Sequence, residues 1–203
     1  MNSSNAHSNP LVTARGGLEM PSLGLGTWQM GMDSTSRRDE VAALQLGIDL
    51  GMTLLDTAEV YGDGGSESVV GEAIRGRRDE VVLVTKVGPQ KASRQGTLDN
   101  CDASLKRLGT DYLDLYLLHD VPVHDLDETL ESFERLKNAG KIRHYGVSNF
   151  NLDLMNDLQS RVFGTHVACN QLRYALTHRA LEREILPWCV THNVAIMAYS
   201  PVG

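Results

Sequence analysis

Short apolar runs alternate along the chain with stretches in which apolar positions recur every three or four residues. The spacing of roughly thirty residues is the length of one βα unit. The apolar runs predict strands over residues 22–26, 53–56, 81–86, 112–119, 142–148, 167–171 and 194–200, most of them continuous, as expected of parallel strands covered on both faces. Between them the helical period is legible. Val41, Leu44 and Ile48 share one face, and Gly51 stands where a left-handed residue stops a helix. Thr97 is the predicted N-cap before Leu98, Cys101, Leu105 and Leu108. Leu130, Phe133 and Leu136 form another stripe, ended by Gly140. Asn151 caps a short helix through Leu158, and Leu181, Ile185 and Trp188 mark the last, where Pro187 either starts a new turn or kinks the helix. Ahead of the repeats, residues 11–14 and 18–20 flank Arg15-Gly16-Gly17, a hairpin signal; such a hairpin could plug the bottom of a barrel.

Strands alternating with helices imply a parallel sheet, doubly wound or closed. The glycine fingerprint of a dinucleotide-binding Rossmann turn is missing, because Gly24 and Gly26 are followed by Gln29 where the third glycine belongs. Regular repetition favours the α/β fold of a TIM (β/α)8-type barrel with an N-terminal β-hairpin, a single domain over residues 11–203 after a polar, disordered leader over residues 1–10. An eight-stranded barrel takes about 250 residues, whereas only seven repeats precede Gly203. The expectation is a barrel truncated after the seventh strand: either a piece of a longer enzyme, or a natural truncation that is weakened or inactive.

Composition narrows the partners. A net charge of −7, with Lys and Arg scattered among acids, argues against nucleic acid and against an anionic membrane surface. No apolar run approaches the roughly 20 residues of a membrane helix, and the N-terminus lacks the basic and apolar regions of a secretory signal. Cys101, Cys169 and Cys189 form neither a CxxC pair nor an even set, so neither a disulfide framework nor a metal site is expected, and a reducing cytoplasm is.

Chemically useful residues keep one phase in the repeats. Thr27 and Trp28 follow the first strand, which Gly26 ends; Asp56 ends the second, Lys86 the third and His119 the fourth; Ser148-Asn149, Asn170-Gln171 and Tyr199-Ser200 end the rest. Parallel strands put all their C-termini on one rim, where barrels of this kind build active sites. Each residue also has a plainer account. Asp56 could cap the segment 57–61, Lys86 could lie on the surface over its own stem, His119 could be a satisfied core histidine and Tyr61 a packed aromatic. Asp114 is either a buried partner for a neighbouring amide or exposed at a rim.

The segments Asp56-Thr-Ala-Glu-Val-Tyr61-Gly, Thr85-Lys86, Leu117-Leu118-His119, Gly146-Val-Ser148-Asn149-Phe150, Asn170-Gln171 and Ala198-Tyr199-Ser200-Pro201 together resemble the aldo-keto reductase family, in its order and spacing. Within it, residues 56–71 and 112–119 are most similar to bacterial reductases of methylglyoxal and other small aldehydes. The resemblance implies NADPH-dependent reduction of an aldehyde or ketone, NADH not being excluded, because the family's site for the adenosine 2′-phosphate lies in the C-terminal part that is absent here. It implies Tyr61 as the proton donor, with Lys86 lowering the phenol pKa, Asp56 fixing Lys86, and His119 bonded to the carbonyl oxygen. Tyr199 would stack on the nicotinamide, and Ser148, Asn149 and Gln171 would bind its carboxamide. Gly26, Thr27, Ser200 and Pro201 would complete the cofactor site and Trp28 would wall the substrate pocket. Two rivals remain: a Schiff-base aldolase using Lys86, and an inactive or regulatory barrel that only binds cofactor.

Overall fold

The computed structural model describes residues 9–202. Strands β1 (Leu11–Thr13) and β2 (Glu19–Pro21) pair antiparallel, Leu11 opposite Pro21 and Thr13 opposite Glu19. The turn between them carries Gly16 and Gly17 at φ 72° and 78°, a conformation that strains any residue with a side chain. Seven parallel strands follow: β3 (Gly24–Gly26), β4 (Leu54–Asp56), β5 (Val82–Val87), β6 (Leu113–Leu118), β7 (Ile142–Ser148), β8 (Cys169–Arg173) and β9 (Ala195–Tyr199), hydrogen-bonded in chain order. Helices α1 (Arg37–Asp49), α2 (Gly65–Ala73), α3 (Arg94–Leu108), α4 (Leu126–Asn138), α5 (Leu152–Ser160) and α6 (Ile185–Thr191) cover the outside.

The alternation of side chains along parallel strands sorts the apolar residues into two cores. The outer core joins Leu55, Leu83, Tyr116 and Tyr145 to the apolar faces of the helices, including Val41, Leu44 and Ile48 of α1 and Leu130, Phe133 and Leu136 of α4. The inner core joins Leu54, Val84, Leu115, Leu117, Cys169, Ala195 and Met197 to Ala14, Leu18 and Met20 of the hairpin. Residues of five different strands meeting around one axis make the sheet a nearly closed barrel, and the hairpin is its plug. Strands β3 and β9 end the sheet, and no ladder joins them among the described residues.

Arg15 clasps the plug in place. Its amide donates to the Asn193 carbonyl (2.8 Å) and its guanidinium to the carbonyls of His192 (2.6 Å) and Thr165 (2.7 Å), in the turns that precede β9 and β8. Asp114, at the start of β6, is the buried partner of an amide: Leu83 N–H donates to it at 2.9 Å, and Arg78 and Arg143 each donate at 2.8 Å.

Several helix ends fall as expected. Gly51 (φ 88°) follows the C-cap of α1, Gly140 (φ 74°) follows α4, and the Asn151 side chain accepts from Leu154 N–H to cap α5. Thr97 is not the cap of α3. That helix begins at Arg94 with Ser93 as cap, accepting from Gly96 N–H, while Thr97 is fully buried inside it with its hydroxyl unpartnered. The expected helix divides into a 3-10 turn over Ala180–Glu182 and α6, and Pro187 lies in the first turn of α6, where its missing N–H breaks no helical bond, so it belongs to a new turn and kinks nothing. The buried member of that turn is Cys189, not Trp188. The first predicted strand is shorter than 22–26 because Ser22 and Leu23 are drawn toward the N-terminal segment, bonded to the Pro10 carbonyl and the Asn9 side chain. Of the leader expected over residues 1–10, residues 1–8 lie outside those described, while Asn9 and Pro10 are bonded to the fold.

Candidate active site

The parallel register brings the strand ends to one mouth. A cavity of about 1060 Å³ runs from there along the unpaired side between β3 and β9 down to the hairpin; Gly26, Thr27, Trp28, Asp56, Tyr61, His119, Ser148, Asn149, Gln171, Tyr199, Ser200 and Pro201 line it toward the mouth, and Val12, Met20 and Pro21 toward the plug. Of the residues expected at the rim, Lys86 and Asn170 do not line it; Lys86 lies beneath the cavity, fully buried.

Lys86 closes the floor. Its Nζ donates to Asp56 Oδ1 at 2.8 Å and to the Thr57 carbonyl at 2.8 Å, and reaches the Tyr61 hydroxyl at 3.5 Å. Asp56 ends β4, Lys86 lies near the end of β5, and the strand pairing Asp56–Val84 sets their offset. Tyr61 arrives on the loop after β4, in a turn where Gly62 and Asp63 have left-handed φ of 58° and 52°. His119 follows β6, its ring edge-on to that of Tyr61 with centroids 5.5 Å apart. Asp56, Tyr61, Lys86 and His119 are thus one cluster.

Burial decides the protonation of both rings. Desolvation raises the Tyr61 phenol above its ordinary value of 10.0, outweighing the opposing Lys86 charge, with Asp56 adding to the rise. Lys86 acts in the expected direction, its charge and hydrogen bond both lowering this pKa, but removal from water acts more strongly and the net shift is upward. His119 is pushed down to about 4, first by burial and then by Lys86, so it is a neutral imidazole at neutral pH.

The opposite wall carries amides and hydroxyls. Ser148 Oγ donates to the Gln171 carbonyl (3.1 Å), which leaves its oxygen free to accept. Gln171 Nε2 rests on the Met197 sulfur at 2.9 Å. Asn149, at φ 62°, reaches the His119 carbonyl through Nδ2 (3.4 Å) and accepts from the Tyr199 hydroxyl through Oδ1 (3.0 Å). Trp28 stands at the opening, 70% exposed, and Ser200 and Pro201 form the exposed lip. Asn170, by contrast, faces away from the mouth toward the Phe150 carbonyl. Thr27 departs from its expected use. It is fully buried, its hydroxyl donates to the Asp56 carbonyl (3.0 Å) and accepts from Ser66 (2.7 Å), so that hydroxyl is committed within the fold.

Two participants escape a reading by strand ends. The Thr57 carbonyl holds Lys86, and Ser66 on α2 is fully buried beneath the loop. A backbone carbonyl leaves no residue-type signal, and Ser66 belongs to a helix start rather than a strand end. Lys86 is moreover poorly placed for an aldolase: an imine-forming amine must face the cavity, whereas this one is enclosed by two short acceptors. Among the described residues no group of His, Cys, Asp and Glu could hold a metal ion, and no helix is long and apolar enough to cross a membrane.

A barrel plugged by a hairpin, with aspartate, lysine, tyrosine and histidine gathered at its mouth, defines a family. Residues 22–203 match the model of the aldo/keto reductase family, and the chain belongs to that family. It is 48% identical over 193 residues to methylglyoxal reductase YeaE of Escherichia coli, covering 95% of this chain and 68% of that protein. It is 36% identical to aldo-keto reductase YhdN of Bacillus subtilis, covering 90% of this chain and 59% of that one. A crystal structure of an aldo/keto reductase from Klebsiella pneumoniae in complex with NADP and acetate superposes with a TM-score of 0.91 at 48% identity, over 95% of this chain and 68% of its own. The chain therefore spans 59% to 68% of the length of these relatives.

Proposed function

We propose that this chain carries the catalytic groups of an NADPH-dependent reductase of small aldehydes and ketones. The observation that carries it is the enclosed contact of the Tyr61 phenol with Lys86 and His119 at the mouth of the barrel. When bound, the dinucleotide supplies a hydride to the carbonyl carbon. The donor set on the far wall fits its nicotinamide: a carboxamide needs a donor and acceptors, and Ser148, Asn149 and Gln171 offer both beside the Tyr199 ring. Gly26, Ser200 and Pro201 border the same space.

The chain's own residues handle the proton and the developing charge. The His119 imidazole, neutral through burial, serves as a hydrogen-bond donor to the carbonyl oxygen and orients it. Tyr61, protonated at neutral pH as any phenol with a pKa of 10.0 or above is, gives its hydroxyl proton to that oxygen as the carbon accepts hydride, so the products are an alcohol and the phenolate. The Lys86 ammonium stabilises the phenolate across the 3.5 Å contact until a solvent proton restores it. Asp56 holds Lys86 at that distance. Trp28 bounds the substrate space. Methylglyoxal, which YeaE is named for reducing, is a fitting test substrate. Three buried thiols and no disulfide suit a reducing cytoplasm.

Tyr61→Phe tests the assignment. A general acid contributes about 10²- to 10⁴-fold, so kcat for aldehyde reduction falls within that range while the NADPH dissociation constant, read by fluorescence titration, is unchanged. Near-normal turnover in the variant would make another group the acid.

A further inference from the structure

Beneath the Asp56–Thr57 corner lies a chain of three buried hydroxyls that the proposed chemistry does not use. Thr27, Thr57 and Ser66 are each fully buried. Ser66 Oγ stands 2.7 Å from Thr27 Oγ1, 3.0 Å from the Thr27 carbonyl and 2.9 Å from Thr57 Oγ1. Thr27 Oγ1 donates onward to the Asp56 carbonyl at 3.0 Å.

Counting hydrogens fixes the direction. Each hydroxyl has one to give. Thr27 spends its own on Asp56, so Ser66 must donate toward Thr27 and Thr57 must donate to Ser66. The bonds run Thr57 to Ser66 to Thr27 to the Asp56 carbonyl, every hydrogen used once. Both ends of this run belong to the two residues that hold Lys86: Asp56 through its carboxylate, Thr57 through its carbonyl. Ser66 can reach both strand ends because the Trp28 loop and the start of α2 touch backbone to backbone. A Cβ on Gly31 would lie 2.2 Å from the Gly65 carbonyl carbon, and one on Gly65 would lie 2.2 Å from the Gly31 oxygen.

We propose that Ser66 is a positioning residue for the proton-transfer site: through Thr57 and Thr27 it fixes the two acceptors that aim Lys86 at Tyr61. Its importance for turnover rests on the reductase reading above; its effect on the geometry does not. A satisfied buried network of this kind holds one arrangement, and loss of its central member leaves two hydroxyls to find new partners. Lys86 then gains room to retreat from the phenol.

Two measurements decide it. In steady-state turnover, Ser66→Ala and Thr57→Val lower kcat about tenfold, the scale of a sub-ångström misplacement of reacting groups, with the KM for NADPH unmoved; Thr57→Ser, which restores the hydroxyl, recovers most of the loss over Thr57→Val. In the chain without cofactor, phenolate absorbance is titrated in each background after subtraction of the matching Tyr61→Phe protein. The Tyr61 phenol then ionises at higher pH in Ser66→Ala and Thr57→Val than in the parent, because the ammonium has moved away. Thr129→Val serves as control: it removes an equally buried hydroxyl, bonded to the Ala92 carbonyl at 2.7 Å, with a cost in stability but no shift in that titration. The proposal is overturned if Ser66→Ala is folded with parental kcat and titration, or if Thr57→Ser fails as badly as Thr57→Val, which would assign the effect to packing. Should the parent chain reduce no aldehyde, the reductase reading falls, and the titration still judges the role of Ser66.

Discussion

At the base of the barrel Asp114 is enclosed by one amide and two guanidinium groups, all within 2.9 Å, while at the mouth Asp56 and Lys86 share their short bond with a phenol left at 3.5 Å. Both ends bury a carboxylate against cations at strand termini, yet they are finished differently. The base is plugged by the hairpin, latched by Arg15, and its carboxylate accepts three short bonds. The mouth keeps a cavity and one long contact that a reaction can shorten. A saturated ion cluster holds structure; an unsaturated one can change state. This matches the general division of such barrels into a stabilising N-terminal face and a reactive C-terminal face.

The contrast can be broken from either side. The largest effect is expected from Asp114→Ala, which leaves Arg78 without its buried partner. Loss of one member of a buried pair costs about 3–5 kcal/mol, and here the lower figure applies because the Arg143 side chain is 58% exposed. Urea denaturation reads the loss, while kcat of the folded fraction stays at the parental value; a comparable fall in kcat would mean that the two ends are coupled.

Acid separates the ends next. His119 at the mouth is pushed from 6.5 down to about 4 by burial and Lys86, and half-buried His144 near the base is also lowered, chiefly by burial. A histidine with a depressed folded pKa binds its proton more readily when unfolded. Its stabilising contribution is therefore complete above about 6.5, the unfolded value, and is lost as pH falls toward the folded value. The urea midpoint should decline between those limits, and His119→Gln should flatten the decline more than His144→Gln does. Equal flattening would remove the electrostatic distinction between mouth and base.

The smallest effect is expected from Arg15→Ala. It removes three carbonyl contacts from a partly exposed side chain, for a loss of about 1–2 kcal/mol seen as a lower urea midpoint, with the Tyr61 titration unmoved.

Much of this was legible in the chain because parallel strands convert a period into a place. Once the repeats are recognised, Asp56, Lys86, His119 and Tyr199 must share a rim, and the hairpin before the first repeat has only the opposite end to fill. The start of α3 was not legible: its first turn, Arg94-Gln95-Gly96, is polar, so apolar periodicity begins one turn too late and points to Thr97 instead of Ser93. The Tyr61 pKa was misjudged for a related reason. The Lys86 charge is visible in a sequence, whereas the depth of the phenol below the surface is a property of the closed mouth. The Thr27–Ser66 contact was missed because the two hydroxyls meet across 39 positions, a pairing that local pattern does not record.

The Arg15 clasp joins positions 177 residues apart. Closing so large a loop has an entropic cost that short-range contacts do not carry, and contacts of such separation slow folding. During synthesis the floor of the barrel stays unlatched until His192 has left the ribosome. Until then the apolar side chains of the plug have only part of their socket, and the nascent chain is most exposed to misassociation in that interval.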